Sequence, residues 1–64
     1  MNAATDLIRY EIRAEDMFGN PQIVYRDDLD AAMRLAQRAV DNDAAYVSVT
    51  DNQTGTVVHE IDCM

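Results

Sequence analysis

The stretch YRDDLDAAMRLAQRAVDND, residues 25–43, decides how this chain folds. At 100° per residue its apolar side chains form one stripe, and its charged and amide side chains fall on the opposite side. This pattern predicts a single amphipathic helix that packs one face on a sheet, with small alanines allowing close approach. The stripe consists of Leu29, Ala32, Met33, Ala36, Ala39 and Val40.

Carboxylates stand at both ends of this helix. Asp27 or Asp28 is expected to cap its start, because a side-chain oxygen there accepts hydrogen bonds from free N–H groups. Asp30 adds a negative charge in the first turn, where the helix dipole favours it, whereas Asp41 and Asp43 oppose the dipole at the other end. Local helix energetics therefore leave the last two acids unexplained.

Four further segments alternate apolar and polar residues with a period of two, which is typical of half-buried strands. They are residues 7–14, 22–26, 45–50 and 56–61. Turn-forming residues separate the strands of each pair, in EDMFGNP and DNQTG, and Asn42 is expected to end the helix in the left-handed conformation. The 64 residues therefore predict one domain of the α+β class: a two-layer ββαββ sandwich with one helix packed on a four-stranded, mainly antiparallel sheet. The expected strand order is 2-1-3-4, with 2-1-4-3 as the alternative.

The pairing of the last two strands follows from the position of their apolar residues. If Gly55 forms a bulge, Asp51 lies opposite Val57 and Val49 lies opposite His59. A shift by one residue would place Glu60 among the valines, so this register is preferred. On the sheet face away from the helix, the expected apolar residues are Leu7, Val24, Tyr46 and Val58.

The charge balance narrows the classes of partner. Twelve acids, five arginines and no lysine give a net charge of −7. Such a surface repels nucleic acid and anionic membranes and favours basic protein partners, so we expect neither direct nucleic-acid binding nor a membrane partner. Cys63 is the sole cysteine, and the start of the chain has no basic segment followed by an apolar run. These features favour a reducing compartment such as the cytoplasm.

The sequence contains no recognisable catalytic motif. His59 is the sole histidine, and no serine or cysteine motif accompanies it, so a nucleophilic site is not expected. His59 and Cys63 together supply too few ligands for a structural zinc site, and the acidic runs do not match a calcium loop. We therefore expect a protein that is not an enzyme and that needs no metal or cofactor.

Tracing the acids along the predicted fold separates them into two groups. One end of the sandwich collects Glu15, Asp16, Asp41, Asp43 and Asp62, and the other collects Asp6, Asp27, Asp28, Asp30 and Asp51. The candidate partner-binding residues are Glu15, Asp16, Asp41 and Asp43 at the first end, which is preferred, and Asp27, Asp28 and Asp30 at the second.

With RDDLD, DND and AED, no lysine and one ββαββ unit over its whole length, the chain resembles the small acidic anti-CRISPR proteins of phages and mobile elements. Several members of that group mimic DNA or block the surface of a Cascade-type complex. The resemblance implies a non-enzymatic inhibitor that occupies a basic nucleic-acid-binding site, for example in a CRISPR effector complex. Because the group shares no sequence motif, it assigns no role to any residue here.

A second hypothesis belongs to another class. The chain could act as a protein–protein interaction module, or as a homodimer, through the open sheet face or an edge strand. Exposed apolar side chains often mark such interfaces, and an edge strand can pair with a partner's strand. Both a monomer and a homodimer remain open at this point.

Overall fold

The computed structural model describes residues 9–63, which form one helix and one four-stranded sheet; Asp6 and Leu7, for which positions were expected, lie outside these residues. The strands are β1 (Tyr10–Glu15), β2 (Pro21–Arg26), β3 (Tyr46–Asp51) and β4 (Thr56–Asp62), and the helix α1 (Leu29–Asp41) lies between β2 and β3 in the chain. The sheet order is β2-β1-β3-β4, and every neighbouring pair is antiparallel. The predicted α+β class, element order and preferred strand order are therefore confirmed.

The core lies between α1 and the two central strands. Ala32 and Ala36 are fully buried, and their small side chains let the helix approach β1 and β3 closely. From the sheet, Tyr10, Ile12, Val47 and Val49 complete the buried cluster. Leu29, which the helical stripe included, is instead exposed, because it stands in the first turn beyond the edge of this cluster.

Strand β2 faces the opposite way from the sequence-based prediction. Val24 pairs with buried Ile12, and directly paired residues of antiparallel strands point to the same side, so Val24 lies on the helix face. Ile23 and Tyr25 consequently lie on the open face. Both faces of this strand carry apolar groups, so its alternation alone could not show which set points inward.

The last hairpin differs from its predicted register near the turn. Val49 lies opposite His59 as predicted, but Asp51 lies opposite Thr56 and not Val57. The register shifts beside Thr50, which leaves Val58 as the extra residue of a bulge. Gly55, with φ of 73°, serves the turn itself, where its N–H donates to the carbonyl of Asp51 at 2.7 Å.

A partly buried ion pair joins the start of β1 to the end of β3. The Asp51 carboxylate accepts from Arg9 Nε and Nη2 at 3.3 and 3.1 Å, and from the backbone N–H of Gln53 at 2.9 Å. The Arg9 hydrogen bond is the main reason why the pKa of Asp51 is lowered and that of Arg9 is raised. Asp51 is therefore a structural residue that fixes the last hairpin turn to β1.

Over residues 9–63, no helix has both the length and the apolar character that crossing a membrane requires.

Candidate functional site

Three acidic residues lie where β1 ends and α1 finishes, although the Glu15 side chain points to the open sheet face because Ile12 and Ala14 point toward the helix. Glu15 is the last residue of β1, Asp16 begins the turn to β2, and Asp43 follows the helix. All three line one surface groove of about 390 Å³. The backbone N–H of Ala45 donates to the carbonyl of Glu15 at 2.8 Å, which fixes the segment after the helix against β1. We call Glu15, Asp16 and Asp43 the acidic end.

Asp43 occupies a backbone position that usually holds glycine. Its φ is 71°, whereas Asn42, the residue expected to be left-handed, has φ of −99°. The N–H of Asp43 donates to the Val40 carbonyl and that of Ala44 to the Ala39 carbonyl, both at 3.0 Å. These two bonds form a Schellman motif, in which glycine is preferred because it lacks a Cβ. Asp43 therefore lowers the stability of the fold in two ways, through its left-handed backbone and through its negative charge near the helix C-terminus.

We expect Asp43→Gly to stabilise the fold by about 1 kcal/mol, because it removes the left-handed strain and a carboxylate that opposes the dipole. Urea unfolding monitored by circular dichroism measures the change. Asp41→Gly is the matched control and should destabilise, because that position is helical. A less stable Asp43→Gly variant would show that the Asp43 side chain makes a favourable local contact.

Asp16 organises the turn between β1 and β2. Its Oδ1 accepts from the backbone N–H groups of Phe18 and Asn20 at 2.9 and 3.0 Å, and its Oδ2 accepts from Asn20 Nδ2 at 3.2 Å. The backbone bond from Asn20 is the main reason why the pKa of Asp16 is lowered. Gly19 supplies the positive φ of 82° that the turn requires. The Asp16 carboxylate is therefore held in place and stays ionised at neutral pH.

The same turn holds two large apolar side chains in solvent. Met17 is 68% exposed and Phe18 is 81% exposed, more than any other large hydrophobic residue that the structure describes. Met17 also shares a second groove with Asp43. The sequence-based site did not include these two residues, although a Met-Phe pair between an acid and a turn glycine is a signal that points to them. They place exposed apolar area in the turn that Asp16 begins, although neither residue lines the groove of the acidic end.

Arg13 partly offsets the charge of Glu15. Its Nε lies 3.0 Å from Glu15 Oε2, and both side chains are about a third exposed or more. Exposed pairs of this kind contribute little to stability, so water or a partner's cation can replace Arg13 at small cost. Glu15 is the least available of the three carboxylates.

Asp41 does not join the acidic end. Its carboxylate accepts from Gln37 Nε2 at 3.1 Å. It lines a different groove, of about 470 Å³, together with Arg26, Arg34 and Arg38. Asp41 is therefore a lone acid among arginines, and it is separate from the group in which its chain position had placed it.

The remaining candidates lie at the opposite end of the molecule, where α1 begins. Asp28 is the N-cap, and its carboxylate accepts from the Ala31 N–H at 3.0 Å. Asp30 lies in the first turn, and Asp27 is exposed just before the cap. Helix capping and the dipole explain Asp28 and Asp30 without any partner.

The open sheet face carries more aromatic area than predicted. Tyr25 joins Tyr46 there, whereas Arg26 lies on the helix side because it pairs with Tyr10. The Tyr46 hydroxyl donates to Glu60, and this bond raises the pKa of Tyr46. The two tyrosines lie on strands separated by β1, so they do not form one continuous stacking surface.

His59 is half-buried opposite Val49, and Cys63 is an exposed free thiol. Within the described part of the chain, no cluster of three or more His, Cys, Asp or Glu residues is placed to hold a metal ion.

Comparisons with protein-family models, with curated proteins and with solved structures found no match for this chain.

Proposed function

We propose that the protein is a non-enzymatic inhibitor whose acidic end occupies a basic nucleic-acid-binding surface of another protein. The observation that carries this proposal is that Glu15, Asp16 and Asp43 line one groove, with Phe18 exposed in the turn that Asp16 begins. Carboxylates on a rigid frame can take the places of nucleic-acid phosphates against lysine and arginine side chains. The proposed place of action is the cytoplasm of a bacterial host cell.

Rigidity supports the proposal, because groups that are already ordered lose less entropy on binding. The Asp16 carboxylate is held by three hydrogen bonds, and the Schellman motif fixes the backbone at Asp43. Asp43 occupies a position where glycine would make the fold more stable. Residues that lower stability in this way are common at functional positions. Solubility alone would not require a carboxylate at that position.

Phe18 gives the surface an apolar anchor as well as charge. Binding energy at protein interfaces concentrates in a few aromatic or arginine side chains surrounded by polar groups. A cationic site with an apolar recess would accept Phe18 while its lysines and arginines contact the carboxylates. This combination would distinguish a folded protein target from a simple polycation.

The resemblance to anti-CRISPR proteins supplies the first target to test, a purified Cascade-type complex. Increasing amounts of the protein are added to the complex with a fluorescent target duplex, and bound DNA is followed by anisotropy. We expect displacement of the duplex with a saturable dose response. If the protein binds the complex without displacing DNA, or if neither this complex nor other DNA-binding assemblies bind it, inhibition by occupancy is wrong.

A further inference from the structure

Strand β2 is an edge strand with apolar groups on both of its faces. All six of its residues are exposed, including Val24 on the helix face and Ile23 and Tyr25 on the open face. An edge strand also presents unpaired backbone N–H and C=O groups, which can pair with another strand. Beside it, a cavity of about 160 Å³ between β2 and α1 is lined partly by Val24 and Leu35.

The two edges of the sheet differ in how they are protected. The β4 edge has a bulge at Val58 and the acids Glu60 and Asp62, and bulges and charges are common ways to prevent strand addition. In β2, Pro21 and Arg26 stand only at the ends, and residues 22–25 contain neither proline nor charge. The β2 edge is therefore the one that remains open to pairing.

Charge indicates which partner can approach this edge. The groove next to β2 is lined by Arg26, Arg34 and Arg38, with Asp41 as its one acid. None of these three arginines makes an ion pair with another residue of the described range. In a chain with a net charge of −7, this arginine groove beside β2 can attract the acids of a second copy.

We propose that β2 pairs antiparallel with β2 of a second copy, around a two-fold axis at Val24. In this register Val24 lies opposite Val24 of the second copy on the helix face. Ile23 lies opposite Tyr25 of the second copy on the open face, and Gln22 lies opposite Arg26. The strand is self-complementary in this register, because apolar residues meet on both faces and no acid enters the ladder.

Neighbouring symmetric registers are less favourable. A two-fold axis at Ile23 would bring Pro21 into the ladder opposite Tyr25, where its missing N–H removes a hydrogen bond. An axis at Tyr25 would place Ile23 opposite Asp27. The register at Val24 leaves Pro21 and Asp27 opposite each other just beyond the five paired residues, and the result is a continuous eight-stranded sheet. Because the paired strands run in opposite directions, Arg26 of each copy lies opposite Gln22 of the other, and Gln22 lines the groove of the acidic end, so opposite charges approach at both ends of the ladder.

Sedimentation velocity over a wide concentration range, in reducing buffer, tests this pairing. We expect a monomer–dimer equilibrium that Val24→Lys shifts at least about tenfold toward monomer. Val58→Lys is the matched control, because Val58 is a similarly exposed edge valine (45% against 38%), and this variant should dimerise normally. Ile23→Lys, on the open face, replaces Val24→Lys if circular dichroism shows that the latter is unfolded.

Disulfide cross-linking tests the same pairing, and formation of a covalent dimer is the positive result. In a Cys63→Ser background, Val24→Cys should form a disulfide-linked dimer in air, because the two positions face each other across the axis. Val58→Cys in the same background should not. A protein that is monomeric at every concentration overturns the proposal, as does a dimer that both lysine variants dissociate equally. DNA displacement by a strictly monomeric protein would leave the proposed function intact while excluding this pairing.

Discussion

Neutralising the acidic end, with Glu15→Gln, Asp16→Asn and Asp43→Asn together, is expected to weaken binding to the target complex roughly thirty-fold. Each exposed ion pair contributes roughly a threefold change in affinity, so the loss of all three multiplies to roughly thirty-fold. The amides keep side-chain size, and the amide that replaces the Asp16 carboxylate retains an oxygen that can accept the turn N–H groups of Phe18 and Asn20. Loss of affinity would therefore report on charge and not on an altered turn.

The three acids at the opposite end of the molecule provide a matched control for this variant. Asp27→Asn, Asp28→Asn and Asp30→Asn change the net charge by the same three units at the opposite end. We expect this second variant to lose affinity only slightly, through the general field of the molecule. Isothermal titration calorimetry measures both. Equal losses in the two variants would mean that total charge matters and that the position of the acids does not.

Asp51→Ala is expected to lower the melting temperature by roughly 8 °C, the largest stability effect of any single acid in the described structure. Asp51 is 6% exposed, so its removal leaves the Gln53 N–H without its acceptor and Arg9 without its partner. Asp27→Ala, at an exposed position, should change the melting temperature by less than about 2 °C. Differential scanning calorimetry compares the two.

The same carboxylate predicts the acid sensitivity of the fold. The pKa of Asp51 is lowered, first by Arg9, so the folded state favours the ionised form. The stability that this bond contributes is present above the ordinary pKa of about 4 and is lost as the pH falls through the lower folded value. The melting temperature of the wild-type protein should therefore decrease when the pH is lowered below about 4. The melting temperature of Asp51→Ala should decrease less over the same pH range. Parallel pH profiles for both proteins would contradict this assignment.

The sequence predicted the architecture because its periodic patterns were clear. Alternation in four segments and the helical stripe gave the ββαββ order, and a short antiparallel sheet under one helix has few topologies. The orientation of β2 was predicted wrongly because Ile23, Val24 and Tyr25 are all apolar. The pattern therefore does not show which face of the strand points toward the core. Its orientation depends on the length of the preceding turn, which the Asp16 hydrogen bonds close.

The candidate site was predicted in part, for reasons that concern individual residues. Glu15, Asp16 and Asp43 line one groove because β1 and α1 both finish at one end, and chain order alone indicates that. Asp41 was grouped with them because chain order does not specify which side of the last helical turn a residue faces. The left-handed residue was placed one position early because Asn and Asp both tolerate that conformation.

The most direct test of the central claim is the salt dependence of binding to the complex at fixed pH. If clustered carboxylates provide the affinity, the logarithm of the association constant should fall linearly with the logarithm of salt concentration. We expect a loss of roughly tenfold or more between low and physiological salt. The slope should become shallower when Glu15, Asp16 and Asp43 are neutralised. An affinity that is the same at low and high salt would contradict the account.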